Sequence, residues 1–164
     1  MSTNTEISRK SVRIRPITAG DISACHSLIG ELADYEKAPE EFVLSIEQFE
    51  QDLRDNRFEA FVAEANGEIL GMALYYFNYS TWKGVSLYLE DLVVREQHRR
   101  LGIGSMLFEA VAEMAAEKEV GRFAWQVLDW NESAIDFYKR YPVELESEWL
   151  NGKIRKEKLH RFKK

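Results

Sequence analysis

Arg99, Arg100, Leu101, Gly102, Ile103, Gly104 and Ser105 join an apolar run at 85–94 to an amphipathic stretch at 103–118. Two guanidinium groups, two glycines and a fresh helix N-terminus are suited to holding a pyrophosphate. Glycine lets backbone amides approach phosphate oxygens, and the first helical N–H groups meet an anion with the positive end of the macrodipole. The implied chemistry is the binding of a phosphate-bearing cofactor. Just upstream stand two adjacent carboxylates, Glu90 and Asp91. Val85, Leu87 and Leu89 share one parity of their strand, whereas Leu92 and Val94 have the other. One extra residue near Glu90 and Asp91, a β-bulge, would bring both apolar sets to one face and aim both carboxylates into a common cleft. A strand buried on both faces, with no bulge, is the alternative.

Other chemistries find little support. Gly102-Ile103-Gly104 lacks the third glycine of a dinucleotide fingerprint, and no Walker glycine-lysine loop occurs. His26, His98 and His160 are far apart, so no metal is expected. Cys25 is the only cysteine, which excludes an intrachain disulfide; it falls on an apolar helix face and reads as a small buried hydrophobe. The net charge of −6 argues against nucleic acid as a partner. The first ten residues lack an apolar core and read as a disordered tail rather than a signal peptide, and the apolar run at 69–77 is too short to span a membrane. A cytoplasmic protein of one domain, residues 1–164, with no membrane partner, is expected.

The elements that must position these groups follow from periodicity and punctuation. Residues 12–17 read as a strand whose end Pro16 confines to an edge. Thr18, with Asp21 three residues on, opens a helix whose apolar face is Ile22, Cys25, Ile29, Leu32 and Ala33. Ser45 opens a second helix, to about residue 53. Strands are expected at 58–65 and 68–79 about an Asn66-Gly67 turn, then at 85–94. A helix over 103–118, a strand over 123–128 and a helix from Asn131 to about residue 140 come next. Asn151-Gly152 is expected to turn a last hairpin, 143–150 with 154–159. The result is an α/β (α+β) chain, a mixed sheet with helices on both faces.

The spacing Arg99-x-x-Gly102-x-Gly104 resembles the pyrophosphate loop of the GNAT superfamily of acetyl-CoA-dependent N-acetyltransferases, and the element order resembles that fold. Tyr88-Leu89-Glu90-Asp91-Leu92, Trp130-Asn131-Glu132, Phe137-Tyr138-Lys139-Arg140 and Leu32-Ala33-Asp34-Tyr35-Glu36 resemble segments of its diamine (spermidine/spermine) acetyltransferase branch. Residues 79–84 and 127–131 lean toward the thialysine-acetylating members. The similarity runs from about Val12 to Tyr141.

The resemblance implies a bulged, splayed fourth strand, a homodimer, and direct attack of an amine on acetyl-CoA in a ternary complex. The amine would belong to a small diamine, polyamine or thialysine-like amino acid. A peptide or protein N-acetyltransferase, or a non-catalytic acyl-CoA sensor, are the alternatives. The loop from Arg99 to Ser105 would hold the diphosphate; the backbone of Leu92, Val93 and Val94 would pair with the pantetheine arm like an added strand. Asn131, Ser133 and Ala134 fall on the cofactor-side helix. Glu90 would take the amine's proton through water and Asp91 would help fix the cation. A carboxylate near 4.3 is a poor base for an ammonium near 10.4, so positioning the amine and draining a proton from the far more acidic tetrahedral intermediate is the better role for Glu90. Tyr138 would protonate the departing sulfur and also touch the cofactor. Tyr35 and Glu36 offer an aromatic face and a carboxylate to a flexible cation; Trp125 and Gln126 would line the same groove. Trp82 would close its mouth or serve only as a surface aromatic.

Overall fold

The structure, a computed structural model, describes residues 7–163. These divide into two compact units, one running to Gln126 and the other starting at Val127. The first unit holds a five-stranded sheet in the order β1-β2-β3-β4-β5: Arg13–Pro16, Glu59–Ala65, Glu68–Ser80, Gly84–Val94 and Arg122–Trp125. The first four strands are antiparallel neighbours, and β5 joins β4 in parallel. Pro16 closes β1 at the sheet's edge, where its missing N–H costs no ladder bond. Three helices complete this unit: α1 (Ile22–Tyr35), α2 (Ile46–Arg54) and α3 (Ile103–Glu117).

The start of α1 is held by charge as well as by its cap. Thr18 N–H and its hydroxyl both donate to Asp21 Oδ2 at 2.8 Å, and Arg15 donates to both Asp21 oxygens at 2.7 and 2.8 Å. The guanidinium holds the Asp21 carboxyl down at about 2. One face of the sheet packs against α1 and α2 through Ile22, Cys25, Leu28 and Phe49 on the helices and Val62, Met72, Leu74 and Val93 on the strands. Cys25 is fully buried, and burial lifts its thiol to about 12. The opposite face receives α3. There a Cβ on Gly71 would lie 2.7 Å from Val93 O and 3.2 Å from Leu107, so this strand crosses under the helix only as glycine.

The bulge is present. Leu74 pairs with Asp91 and Tyr75 with Leu89, which leaves Glu90 as the extra residue on β4. Leu87, Leu89, Leu92 and Val94 therefore reach the α3 face together, while Val93 is buried on the α1 side; the strand is buried on both faces, but with the bulge rather than without it. A second irregularity lies between Ala63 and Glu64 on β2, opposite Gly71 and Ile69.

The second unit holds α4 (Glu132–Tyr138) and a single turn, α5 (Lys156–Leu159). Asn131 caps α4, its Oδ1 accepting from Ala134 N at 3.2 Å. Three expectations need correction. The fifth strand stops at Trp125 rather than at residue 128. The hairpin about Asn151-Gly152 does not form; 143–155 has no regular structure and part of its second arm is the turn α5. Trp149, Leu150 and Ile154 are 74, 98 and 55% exposed, and a two-stranded ribbon that buries no face is marginal on its own. The expected N-terminal tail lies partly outside the described residues, but Arg9–Ser11 form an ordered turn closed by reciprocal Ser8–Ser11 hydrogen bonds.

Candidate active site

Three features of the first unit fit a diphosphate carrier with an extended arm. Gly102 caps α3 in the left-handed region, at φ 79°, and has no side chain to satisfy the amides of Ile103, Gly104 and Ser105. Arg100 is also left-handed, at φ 69°, a conformation that in anion-binding nests turns successive backbone N–H groups into one concavity. Finally, β5 pairs with β4 only from Ser86 to Leu89. Beyond the bulge, no strand among the described residues covers the β5-side edge of Glu90 to Val94. An extended ligand could add there as a strand. Ile103 is buried, so its part in the loop is through backbone, while Leu101 and Ser105 are half-buried. Arg99 Nε donates to Val94 O at 3.1 Å, and its guanidinium lies 5.2 Å from the centre of the Tyr35 ring.

The bulge organises the carboxylates. Cross-strand partners share a face, so Asp91 stands with Leu74 on the side that carries α1. Burial pushes its carboxyl up to about 7, with Glu90 and then Glu36 adding like-charge repulsion. Partial desolvation at the end of α1 also lifts Glu36. Glu90 accepts a hydrogen bond from Tyr76 OH at 3.1 Å, and the Tyr76 and Tyr88 rings lie 5.5 Å apart across the pair of strands. Burial and the Glu90 charge raise Tyr76 to about 12, so it remains a phenol and a donor. Further along β3, Asn78 Oδ1 is buried without a hydrogen-bond partner among the described residues.

The structure thus joins Glu36, Glu90 and Asp91 electrostatically and sets Tyr35 one residue from Glu36. Trp125 does not join them. It pairs with Leu89 on the α3 face, 5.2 Å from both Phe108 and Phe123. Gln126 follows it, exposed. Trp82 is 86% exposed on the turn between β3 and β4. Tyr76 and Asn78 went unnoticed in the sequence; the alternation of β3 carried the signal, since both have the parity of Leu74. In the second unit Tyr138 is buried at the end of α4, edge-on to Phe137 at 5.1 Å, while Ser133 is exposed and Ala134 half-buried in its first turn.

The Acetyltransferase (GNAT) family model matches residues 25–141. The chain belongs to the GNAT acetyltransferase family. It is an N-acetyltransferase, and the family's acyl donor is acetyl-CoA. This GNAT chain is 42% identical over 139 residues to a thialysine N-epsilon-acetyltransferase of Sus scrofa, covering 79% of this chain and 82% of that one. It is 38% identical over 129 residues to the Caenorhabditis elegans enzyme of the same name, covering 79% and 81%. In fold it is similar to a crystallised aminoglycoside acetyltransferase from an uncultured soil metagenomic sample. That likeness has a TM-score of 0.75 at 22% identity, over 89% of this chain and 97% of the other. Among the described residues no group of three or more His, Cys, Asp or Glu could hold a metal, and no helix is long and apolar enough to cross a membrane.

Proposed function

We propose that this GNAT enzyme acetylates a primary amine of a small diamine, polyamine or thialysine-like amino acid by direct transfer in a ternary complex. The observation that carries the reading is the cluster of Glu36, Glu90 and Asp91 beside Tyr76 and Tyr88 at the bulge. Such a site attracts a compact cation, and aromatic faces add to that attraction. The names of the thialysine acetyltransferases point the same way.

Bound acetyl-CoA supplies an acetyl thioester. The first-turn amides of α3 hold its diphosphate, and the uncovered edge of Leu92, Val93 and Val94 takes its arm. Glu90, fixed by Tyr76, positions the ammonium. Asp91, drawn to its carboxylate form by the bound cation, receives the proton that the nitrogen loses once its attack on the thioester has made it far more acidic. Tyr138, on its match to the family's helix, donates a proton to the departing sulfur. We place the protein in the cytoplasm as a homodimer. The dimer is supported by the family resemblance and by Trp149, Leu150 and Phe162, which stay exposed in a single copy; sedimentation as a monomer would remove it.

Thiol release from acetyl-CoA across a panel of diamines, polyamines and thialysine-like amino acids tests the substrate. Turnover above background is expected with at least one, and background rates throughout would overturn it. Tyr138→Phe should lower kcat by about 100-fold, the scale of one proton-transfer group, with CoA affinity nearly intact. Unchanged turnover would strip Tyr138 of its role. Gly102→Asp should abolish CoA binding by crowding and repelling the phosphates.

A further inference from the structure

The segment ahead of β1 brings a cation to the helix that should hold the diphosphate. A Cβ placed on Gly102 would lie 3.3 Å from Arg9 Nη1, 3.4 Å from its Cζ and 3.5 Å from its Cδ, so the guanidinium stands beside the α3 N-cap, in the space a side chain at 102 would take. The backbone of Arg9 is set by the turn that Ser8 and Ser11 close, and Val12 N–H donates to Arg9 O at 3.3 Å. Among the described residues Arg9 has no carboxylate partner.

This is an unfavourable place for a lone cation. The N-terminus of a 15-residue helix carries partial positive charge, and a guanidinium belongs at the other end. An anion between the two reverses the sign of the interaction. Arg99, meanwhile, is directed to Tyr35 and Val94 O. We infer that Arg9 is a cofactor-binding residue, a guanidinium delivered from outside the loop to the diphosphate held at Gly102. The inference rests on the reading of this loop as the CoA site. A guanidinium offers paired N–H donors to phosphate oxygens, which an ammonium cannot match in geometry.

The test is isothermal titration of wild-type protein, Arg9→Gln and Arg9→Lys with CoA and with dephospho-CoA, at low and high ionic strength. Arg9 is exposed, so about a fivefold loss of affinity is expected in R9Q at low salt, equal for both ligands and shrinking as salt rises, with partial recovery in R9K. The melting temperature of unliganded R9Q should be no lower than that of wild type. Unchanged CoA affinity in R9Q at low salt overturns the inference. So does a loss seen with CoA and absent with dephospho-CoA, which would assign Arg9 to the 3′-phosphate. If wild type binds CoA and R9Q binds it equally, only the role of Arg9 fails. If wild type binds no CoA, the proposed function fails with it.

Discussion

Asp91 offers a direct measurement of the electrostatics at the bulge. An unfolded aspartate loses its proton near 3.8, whereas burial beside Glu90 and Glu36 holds Asp91 protonated up to about 7 in the folded chain. The folded state therefore binds more protons between these values, and stability falls as pH rises from about 4 to about 7. A shift of about three units corresponds to at most about 4 kcal/mol, since one unit is about 1.4 kcal/mol. Asp91→Asn removes the ionisation and keeps the shape. Urea unfolding of the ligand-free pair should find the variant near wild type at pH 4 and more stable at pH 8, by about 1–4 kcal/mol. The difference between the two proteins isolates Asp91, because every other carboxyl titrates in both. A cationic ligand has the opposite effect on the same group, drawing the carboxyl back toward its ordinary range. Wild-type affinity for a diamine should then strengthen up to about tenfold per pH unit below 7 and level off above it, while D91N shows neither the slope nor the affinity. A stability gap that does not change between pH 4 and pH 8 would refute both the burial and the like-charge argument.

Two further changes test the scaffold. Asp21→Asn should cost about 2 kcal/mol at neutral pH, because Arg15 holds the Asp21 carboxyl at about 2, below its ordinary value of 3.8. That contribution is present above about pH 4 and lost as pH falls toward 2, so urea unfolding at pH 2 should find the variant and wild type alike. Gly121→Ala would set a Cβ 1.8 Å from Lys83 O, a contact with backbone that no rotamer relieves, and should cost about 3 kcal/mol or more by the same assay.

Much of this site could be read from residue types because each signal had a local cause. The parity change between Leu89 and Leu92 can be reconciled with one buried face only by an extra residue, and Glu90 is that residue. Gly102 follows a basic loop and precedes a helical period, and it takes the left-handed conformation that such a junction uses. What could not be read depends on partners distant in the chain. Trp125 sits next to expected groove residues, yet its parity is set by pairing with Leu89, which directs it to Phe108. The Asn151-Gly152 signal was as good as that of Asn66-Gly67, but a turn dipeptide forms a hairpin only where its arms find a layer to pack on. The arms of Asn66-Gly67 are β2 and β3, inside a five-stranded sheet, whereas Trp149 and Leu150 beside the other turn remain exposed.

In the proposed function, the bulge lets one strand serve two ligands of opposite charge. A regular β4 would alternate Glu90 and Asp91 between faces, and β5 could follow it to the end. The extra residue ends the pairing with β5 at Leu89 and leaves the later backbone to an extended arm. It also gathers Glu90 with Tyr76 and Asp91 with Leu74 on the side of α1. The helix start proposed to hold the diphosphate then lies only eight positions beyond Val94, at Gly102. Straightening the strand by deleting Glu90 would therefore impair more than one carboxylate's function. It would keep Leu89 and Leu92 on the α3 face, where they pair with Tyr75 and Ala73, but remove the irregularity that frees the edge beyond Leu89, and both the diamine and the CoA affinities should fall together, whereas Glu90→Gln should weaken the diamine and spare CoA. Equal CoA binding in the deletion and in E90Q would show that the irregularity is incidental to the cofactor.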